Sequence, residues 1–321
     1  MKISYKVSIA VTTYNGSPFI AEQLKSILHQ SRQPDEVVIC DDGSSDDTVE
    51  TVNRFIREHS LSDKWTCYRN DRNLGYVENF LHCAQKCTGD IILFCDQDDV
   101  WAHDKIEAIE KVYLKHNPSA VVSTYSMINS EGNSHITLYS LYKSMPSLIP
   151  LRKVSLSTYL RLLCSSGKAL SFKREMLEEI IQKVHAYNLT YDTPIGAIAL
   201  FREGFYLLRK PLVRFRVHTS NTSAPSTKLS HRTSDVGHLI TSVQHILKMH
   251  SFVYEEYQSK LSKSETKNLK KSIKMQEINL YSLQHDKIDK AFIRNNLTFN
   301  PLVNKMFALV LVLYGIKNLR K

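Results

Sequence analysis

The 321-residue chain predicts an α/β fold, with a mostly parallel central sheet covered by helices on both faces and a helical C-terminal extension. Three observations carry that expectation. Short runs rich in Val, Ile and Leu alternate with segments whose apolar residues recur every three or four positions. Polar and acidic residues cluster directly behind the apolar runs. In the last hundred positions glycine becomes sparse and lysine accumulates.

The elements follow in order. Val7 to Thr12 reads as the first strand. Ser17 is placed to cap the following helix, with Pro18 at its first position and Ile20, Leu24, Ile27 and Leu28 on its apolar face. Glu36 to Asp41 is the second strand. Ser44, Ser45, Asp46 and Asp47 form an acidic first turn before Val49, Val52, Phe55 and Ile56, so Asp46 and Asp47 read as helix-start charges. Trp65 to Arg69 is the third strand, Val77, Phe80, Leu81 and Ala84 a helix face that stops at Gly89, and Ile91 to Cys95 the fourth strand. Asp104 reads as the cap of a further helix carrying Ile106, Ile109 and Val112. Strands joined by helices of this length pair in parallel.

Composition narrows the class. Up to residue 225 there are 26 Lys and Arg against 25 Asp and Glu, and beyond it 16 against 7, so nearly all of the +10 charge is C-terminal. The six cysteines form no CxxC pair, and Cys40 and Cys95 lie inside apolar runs, as small hydrophobes do in a reducing compartment. The N-terminus lacks an apolar stretch long enough for a signal peptide, which predicts a cytoplasmic protein.

The polar segments behind the strands are Thr12 to Asn15, Asp41 and Asp42, Arg69 to Asp71, and the aspartates of Phe94 to Trp101, FCDQDDVW. In an open parallel sheet all four meet in one crevice at the carboxyl ends of the strands. Asp96, Asp98 and Asp99 would repel one another unless a divalent cation or a cationic partner sits among them. There is no GxGxxG and no Walker loop to cradle phosphates, so a metal clamp must neutralise them. Asp41 or Asp42 can accept a hydrogen bond from the ring N–H of uracil, thymine or guanine. Adenine has no such group. The crevice therefore suits a nucleotide diphosphate with a non-adenine base.

Four segments, VSIAVTTYNGSPFIAEQLKSILHQS, DDGSSDDT, RNLGYVENF and FCDQDDVW, resemble those of the family 2 glycosyltransferases in order and approximate spacing, across roughly residues 5 to 220. These are inverting nucleotide-sugar enzymes of the GT-A fold. The CDQDDVW wording resembles a branch associated with rhamnosyl transfer in bacterial surface polysaccharides. The resemblance implies that Thr12 and Tyr14 line the base pocket, that Asp42 reads the base, and that Asp98 and Asp99 contact the ribose and a Mg²⁺ or Mn²⁺ ion, with Asp96 completing the DxD spelling. It also implies a catalytic base at the start of a downstream helix, which here falls on Asp192. The plainer alternative is that Asp192 caps that helix. His218, in RFRVHTSNT, matches a histidine often found near the diphosphate and metal, although a strand-end histidine is commonly structural. Arg216 is either a diphosphate contact or an outward strand residue. CSSGKALSFK, residues 164 to 173, matches a region that shapes the pocket and reads as a turn before a strand.

On this reading residues 1–222 form the catalytic domain and 223–321 a helical basic region behind a Ser/Thr-rich linker, Ser223 to Ser234. Met306 to Ile316 is an unbroken apolar stretch flanked by Lys305, Lys317, Arg320 and Lys321. A helix of that length spans about 16 Å, too short to cross a bilayer, but it suits the cytoplasmic surface of a membrane. The expected partners are a nucleotide-diphosphate sugar, a saccharide or polyprenyl-diphosphate-linked acceptor, and the inner face of the plasma membrane. Two other classes fit the sequence less well. A sugar-phosphate nucleotidyltransferase wants a basic, glycine-rich loop after the first strand, and TTYNGSPF has no basic residue. A nucleic-acid binder wants aromatics among the C-terminal lysines, where residues 260 to 290 offer only Tyr281.

Overall fold

The computed structural model describes residues 4–134, 150–162, 167–218 and 236–285, with single positions at 287, 292 and 311. The chain divides into two units, one of residues 1–154 with 166–222, the other of 155–165 with 223–321. Residues 155–165, which the sequence expectation places in the first domain, cluster with the second unit.

In the first unit, strands β1 (Val7–Thr13), β2 (Glu36–Asp41), β3 (Trp65–Arg69) and β4 (Ile91–Asp96) alternate with helices α1 (Ile20–Leu28), α2 (Thr48–Glu58) and α3 (Tyr76–Lys86). β5 (Val100–Trp101), α4 (Lys105–His116), β6 (Ala120–Ile128) and β7 (Leu151–Lys153) follow. The unit closes with β8 (Leu170–Lys173), α6 (Leu177–Tyr187), α7 (Asp192–Phe201) and β9 (Phe205–Arg216). The label α5 is kept for Leu156–Leu162 of the second unit.

The sheet order is β3-β2-β1-β4-β8-β6-β9-β5, with β7 added on β9. β1, β2, β3, β4, β6 and β9 run one way, while β5, β7 and β8 oppose them. The sheet is thus mixed but mostly parallel. β1 is buried at every position, so both its faces are covered. One core cluster gathers Val7, Ile9 and Val11 of β1 with Ile20, Leu24 and Ile27 of α1 and Val52, Phe55 and Ile56 of α2. Cys40, Cys83, Cys87 and Cys95 are buried and free, as apolar fillers.

Ser17 does not cap α1. The helix begins at Ile20 behind Phe19, because the Phe19 and Ile20 amides both donate to Gly16 O at 3.0 Å and form a tight turn first. Asp104 does precede α4, but its carboxylate pairs with Lys210 instead of the helix amides.

The second unit holds α5, α8 (Val236–Tyr257) and α9 (Lys263–Gln284). Leu239, Val243 and Leu283 form its apolar core with Phe292 and Leu311. Ser262 and Glu265 close a capping box on α9, Glu265 N donating to Ser262 Oγ at 3.2 Å and Ser262 N to Glu265 Oε2 at 2.9 Å. No described helix is long and apolar enough to cross a membrane. The expected linker and most of the apolar stretch 306–316 lie outside the described residues.

Candidate active site

The parallel register sets the crevice. Thr12 of β1 is paired with Asp96 of β4 on one side and Cys40 of β2 on the other, so the polar ends of three strands stop at one level. Thr12 is buried at this level, and Tyr14, just beyond it, is half exposed.

The two aspartates behind β2 do different work. Asp41 is fully buried and accepts from Thr13 Oγ1 at 2.8 Å, Ser44 N at 2.8 Å and Ser44 Oγ at 2.5 Å. It builds the turn. Asp42 accepts from Asn70 Nδ2 at 2.9 Å and Leu74 N at 2.8 Å on Oδ1, and from Gly75 N at 2.9 Å on Oδ2. Gly75 can present that amide because its φ is +83°, in the left-handed region that side chains disfavour. A carboxylate oxygen has two lone pairs, so Oδ2 keeps capacity for one more donor. Asp46 is more than a helix-start charge, since Oδ2 accepts from Ser17 N at 3.1 Å and ties the loop after β1 to α2. Its carboxyl is held below the usual range because hydrogen bonds from Thr48 and Ser17 outweigh its desolvation.

The acidic turn after β4 is divided among different partners. Asp98 Oδ2 meets His218 Nε2 at 2.9 Å, and the imidazole stacks on Phe19 with ring centroids 4.6 Å apart. Asp99 is buried, its Oδ1 accepting from Arg216 N at 3.1 Å. Burial, then the neighbouring Asp98, push the Asp96 carboxyl up to about 6. Burial and repulsion from Asp96 and Asp98 push Asp99 well above the usual carboxylate range.

Arg216 is not an outward residue. Its side chain is buried, donating from Nε to Asp98 O at 2.9 Å and from Nη1 to Ser130 O at 2.9 Å, and pairing with Glu22. The guanidinium holds the acidic turn from behind. Sequence reasoning also missed two buried lysines. Lys105 Nζ lies 3.6 Å from the Trp101 ring centre and donates to Lys168 O at 3.3 Å, its pKa pulled down to about 7 by burial. Lys168 Nζ lies 3.8 Å from the Phe215 ring centre. Both stabilise the charged form of Asp96. The signal for Lys105 was its place four residues beyond Trp101.

The sequence reading gives Asp96, Asp98, Asp99 and His218 to one metal ion. Among the described residues no three such groups converge as a ligand cage, because Asp98 is held by His218 and Asp99 by the Arg216 amide. The donor chemistry nonetheless fits Mg²⁺ or Mn²⁺, hard ions that take carboxylate oxygens. Asp99 Oδ2 is buried with no hydrogen-bond partner among the described residues, and a cation would relieve the repulsion that raises Asp96 and Asp99.

Asp192 opens α7 as its first helical residue, behind Tyr191. It does not cap the helix. Asp192 Oδ1 accepts from Thr190 Oγ1 at 2.5 Å and from its neighbour Thr193 N at 3.1 Å. The ring of Tyr191 packs edge-on against Phe94 of β4 with centroids 4.8 Å apart, which sets the start of α7 beside the strand that ends in Asp96. The Tyr191 hydroxyl is pushed well above its ordinary value by burial, then by the charges of Asp96 and Asp192. Asp192 likewise raises Tyr76, where burial is the larger cause. Asp192 thus follows directly on a tyrosine packed against β4, although the two segments are nearly a hundred positions apart.

A GT-A sheet with a carboxylate cluster at its strand ends defines a nucleotide-sugar transferase architecture. Residues 8–181 match glycosyl transferase family 2, and the chain belongs to that family. The match stops short of Asp192. An uncharacterized glycosyltransferase of Nostoc sp. is 26% identical over 219 residues, covering 67% of this chain and 66% of the relative. The Escherichia coli UDP-Glc:alpha-D-GlcNAc-diphosphoundecaprenol beta-1,3-glucosyltransferase WfgD is 30% identical over 126 residues, 39% of this chain and 48% of its own length. The chain thus spans less than two thirds of either relative. Among solved structures, the mannosyltransferase PcManGT of Pyrobaculum calidifontis, in complex with GDP-Man and Mn²⁺, superposes with a TM-score of 0.60 at 18% identity, covering 99% of this chain and 88% of that one. At that identity the likeness is one of fold.

Proposed function

We propose that this chain is a metal-dependent, inverting glycosyltransferase that moves a sugar from a UDP- or dTDP-sugar, dTDP-rhamnose included, to a saccharide or polyprenyl-diphosphate-linked acceptor in bacterial surface polysaccharide synthesis. The observation that carries this reading is the packing of Tyr191, the residue before Asp192, against Phe94 of β4, the strand that ends in the acidic turn. Inversion needs a base and a diphosphate clamp on opposite sides of one sugar, and here the candidate groups come from two different elements, the end of β4 and the start of α7.

Thr12 and Tyr14 line the base pocket, and Asp42 receives the ring N–H of the base on Oδ2. Asp96, Asp98, Asp99 and His218 hold Mg²⁺ or Mn²⁺ and the ribose side of the donor. An ion held there would offset the negative charge of the departing diphosphate. Asp192 takes the proton of the attacking hydroxyl on the face opposite the leaving group. Its Oδ1 is oriented by Thr190 and the Thr193 amide, which fixes the carboxylate before the acceptor arrives.

A lipid-linked acceptor places the enzyme at the inner face of the plasma membrane. In favour, α9 exposes Lys263, Lys267, Lys270, Lys271 and Lys274, with Ile278 and Tyr281 exposed just beyond them. Each such lysine near an anionic lipid surface contributes about 1 kcal/mol. Sedimentation with anionic but not neutral vesicles is the expected result, and equal binding to both would remove the membrane from this reading.

A thermal-shift panel of UDP-, dTDP- and GDP-sugars, with and without Mn²⁺, tests the donor assignment. One donor should stabilise the protein and do so only with metal. A panel in which no nucleotide sugar shifts the melt would sink the proposal.

A further inference from the structure

We infer that Gln97 is a positioning residue, an amide latch that fixes the backbone of Tyr14 to the acidic turn so that the base pocket and the diphosphate clamp keep one spacing. The inference rests on the crevice being a nucleotide-sugar site. The latch itself stands on geometry alone.

The parallel ladder between β1 and β4 has its last rung at Thr12 and Asp96. Beyond it β1 continues into Tyr14, Asn15 and Gly16, whereas β4 turns away through Gln97, Asp98 and Asp99 toward β5. The Gln97 side chain restores the missing rung. Tyr14 N donates to Gln97 Oε1 at 2.8 Å, and Gln97 Nε2 donates to Tyr14 O at 2.9 Å. A primary amide offers an acceptor and a donor side by side, as a peptide group does. Asparagine is one methylene shorter. Glutamate would keep the acceptor, lose the donor, and add a fourth negative charge to a turn where Asp96 is already pushed up to about 6.

Gly16 is the second half of the device. A Cβ on Gly16 would fall 2.0 Å from Gln97 Oε1 and 2.4 Å from its Cδ. The space beside Gly16 is the space the amide occupies. The rest of the loop is anchored from β2 and α2, with Asn15 N donating to Ser44 Oγ at 2.8 Å and Gly16 N to Thr48 Oγ1 at 2.8 Å. Gln97 supplies the hold from the β4 side. Since the Tyr14 ring is 50% exposed, packing does little to place it, and its position depends on this backbone.

The two residues give a double-mutant test on the full chain. In Gln97→Ala the Tyr14 amide should exchange with solvent at least about tenfold faster by NMR, the equivalent of about 1.4 kcal/mol, while the melting temperature stays close to wild type. Gly16→Ala should do the same, because its methyl displaces a flexible side chain and leaves the fold intact. Binding of the donor found in the thermal-shift panel, with Mn²⁺, should weaken about tenfold in either variant, with KM for the donor rising more than kcat falls. The double variant should be no worse than Gln97→Ala alone. Unchanged Tyr14 exchange in Gln97→Ala, or losses that add in the double variant, would overturn the latch. Faster exchange with unchanged donor affinity and KM would overturn its positioning role. A wild-type protein that binds no nucleotide would instead overturn the site reading on which that role rests.

Discussion

His218 Nε2 lies 2.9 Å from Asp98 Oδ2, and this contact joins the segment after β9 to the acidic turn after β4. Phe19, stacked on the imidazole, fixes the ring plane from the loop before α1. Three separate segments therefore determine where the Asp98 carboxylate sits. Removing the ring takes away that contact. His218→Ala should weaken Mn²⁺-dependent donor binding about 10- to 100-fold, the usual cost of losing a metal ligand's support, with little change in melting temperature without ligand. Isothermal titration of the donor at fixed Mn²⁺ measures this, and wild-type affinity would remove His218 from the site.

Asp192 separates binding from chemistry. Asp192→Asn keeps shape and the bonds from Thr190 and the Thr193 amide, but cannot take a proton. Transfer should fall about 10²- to 10⁴-fold while donor binding is retained. Thr190→Val should give a smaller loss of kcat, since it removes only the 2.5 Å hydrogen bond that orients the carboxylate. A radiolabelled-donor transfer assay beside donor titration reads both. Equal activity of Asp192→Asn and wild type would move the base elsewhere.

Much of the N-terminal half was legible in the sequence. β2 and β3 run over the residues their apolar patterns predict, and the polar ends of the first four strands do meet at one level, because a parallel ladder leaves little choice of register once the strand starts are known. β6 was missed, although AVVSTYSMI is β-rich and follows α4 after three residues; its partners β8 and β9 lie far along the chain. The site was legible as residue types, but less so as contacts. FCDQDDVW shows three aspartates, yet nothing in it says that Asp99 turns inward to the Arg216 amide 117 positions away. The outward alternative for Arg216 fails for the same reason. Alternation in a strand gives two faces, and only the fold shows that both are covered there.

The DDGSSDDT segment holds two pairs of adjacent aspartates, and their members do different work. Asp41 is an interior brace, so Asp41→Ala leaves the Thr13 hydroxyl and the Ser44 amide buried without an acceptor, at a cost of about 2 to 4 kcal/mol. Asp47, on the surface before α2 with no side-chain cap bond, should cost under about 0.5 kcal/mol as Asp47→Ala. Asp42→Asn should lie between them in stability but lose donor binding. Chemical denaturation of the three variants orders them, and an Asp41→Ala protein as stable as Asp47→Ala would contradict the brace.

The helical unit carries its own acid sensitivity. His250 of α8 is fully buried, with Nδ1 2.9 Å from Ser272 Oγ of α9, and burial, followed by the nearby His245, pushes its pKa down to about 3. Unfolded, the ring titrates near 6.5. Between those values the unfolded chain binds a proton that the folded unit refuses, so His250 makes stability fall as the pH drops from about 6.5 toward 3 and has no effect above that window. The slope is about 1.4 kcal/mol per pH unit, or about 2 kcal/mol lost at pH 5 relative to pH 7. His250→Gln keeps a polar group for Ser272 and removes the titration. Urea unfolding followed by far-ultraviolet circular dichroism at pH 7, 6 and 5 should show a shallower pH dependence in the variant. Parallel curves for the two proteins would mean that another group sets the acid limit of this unit.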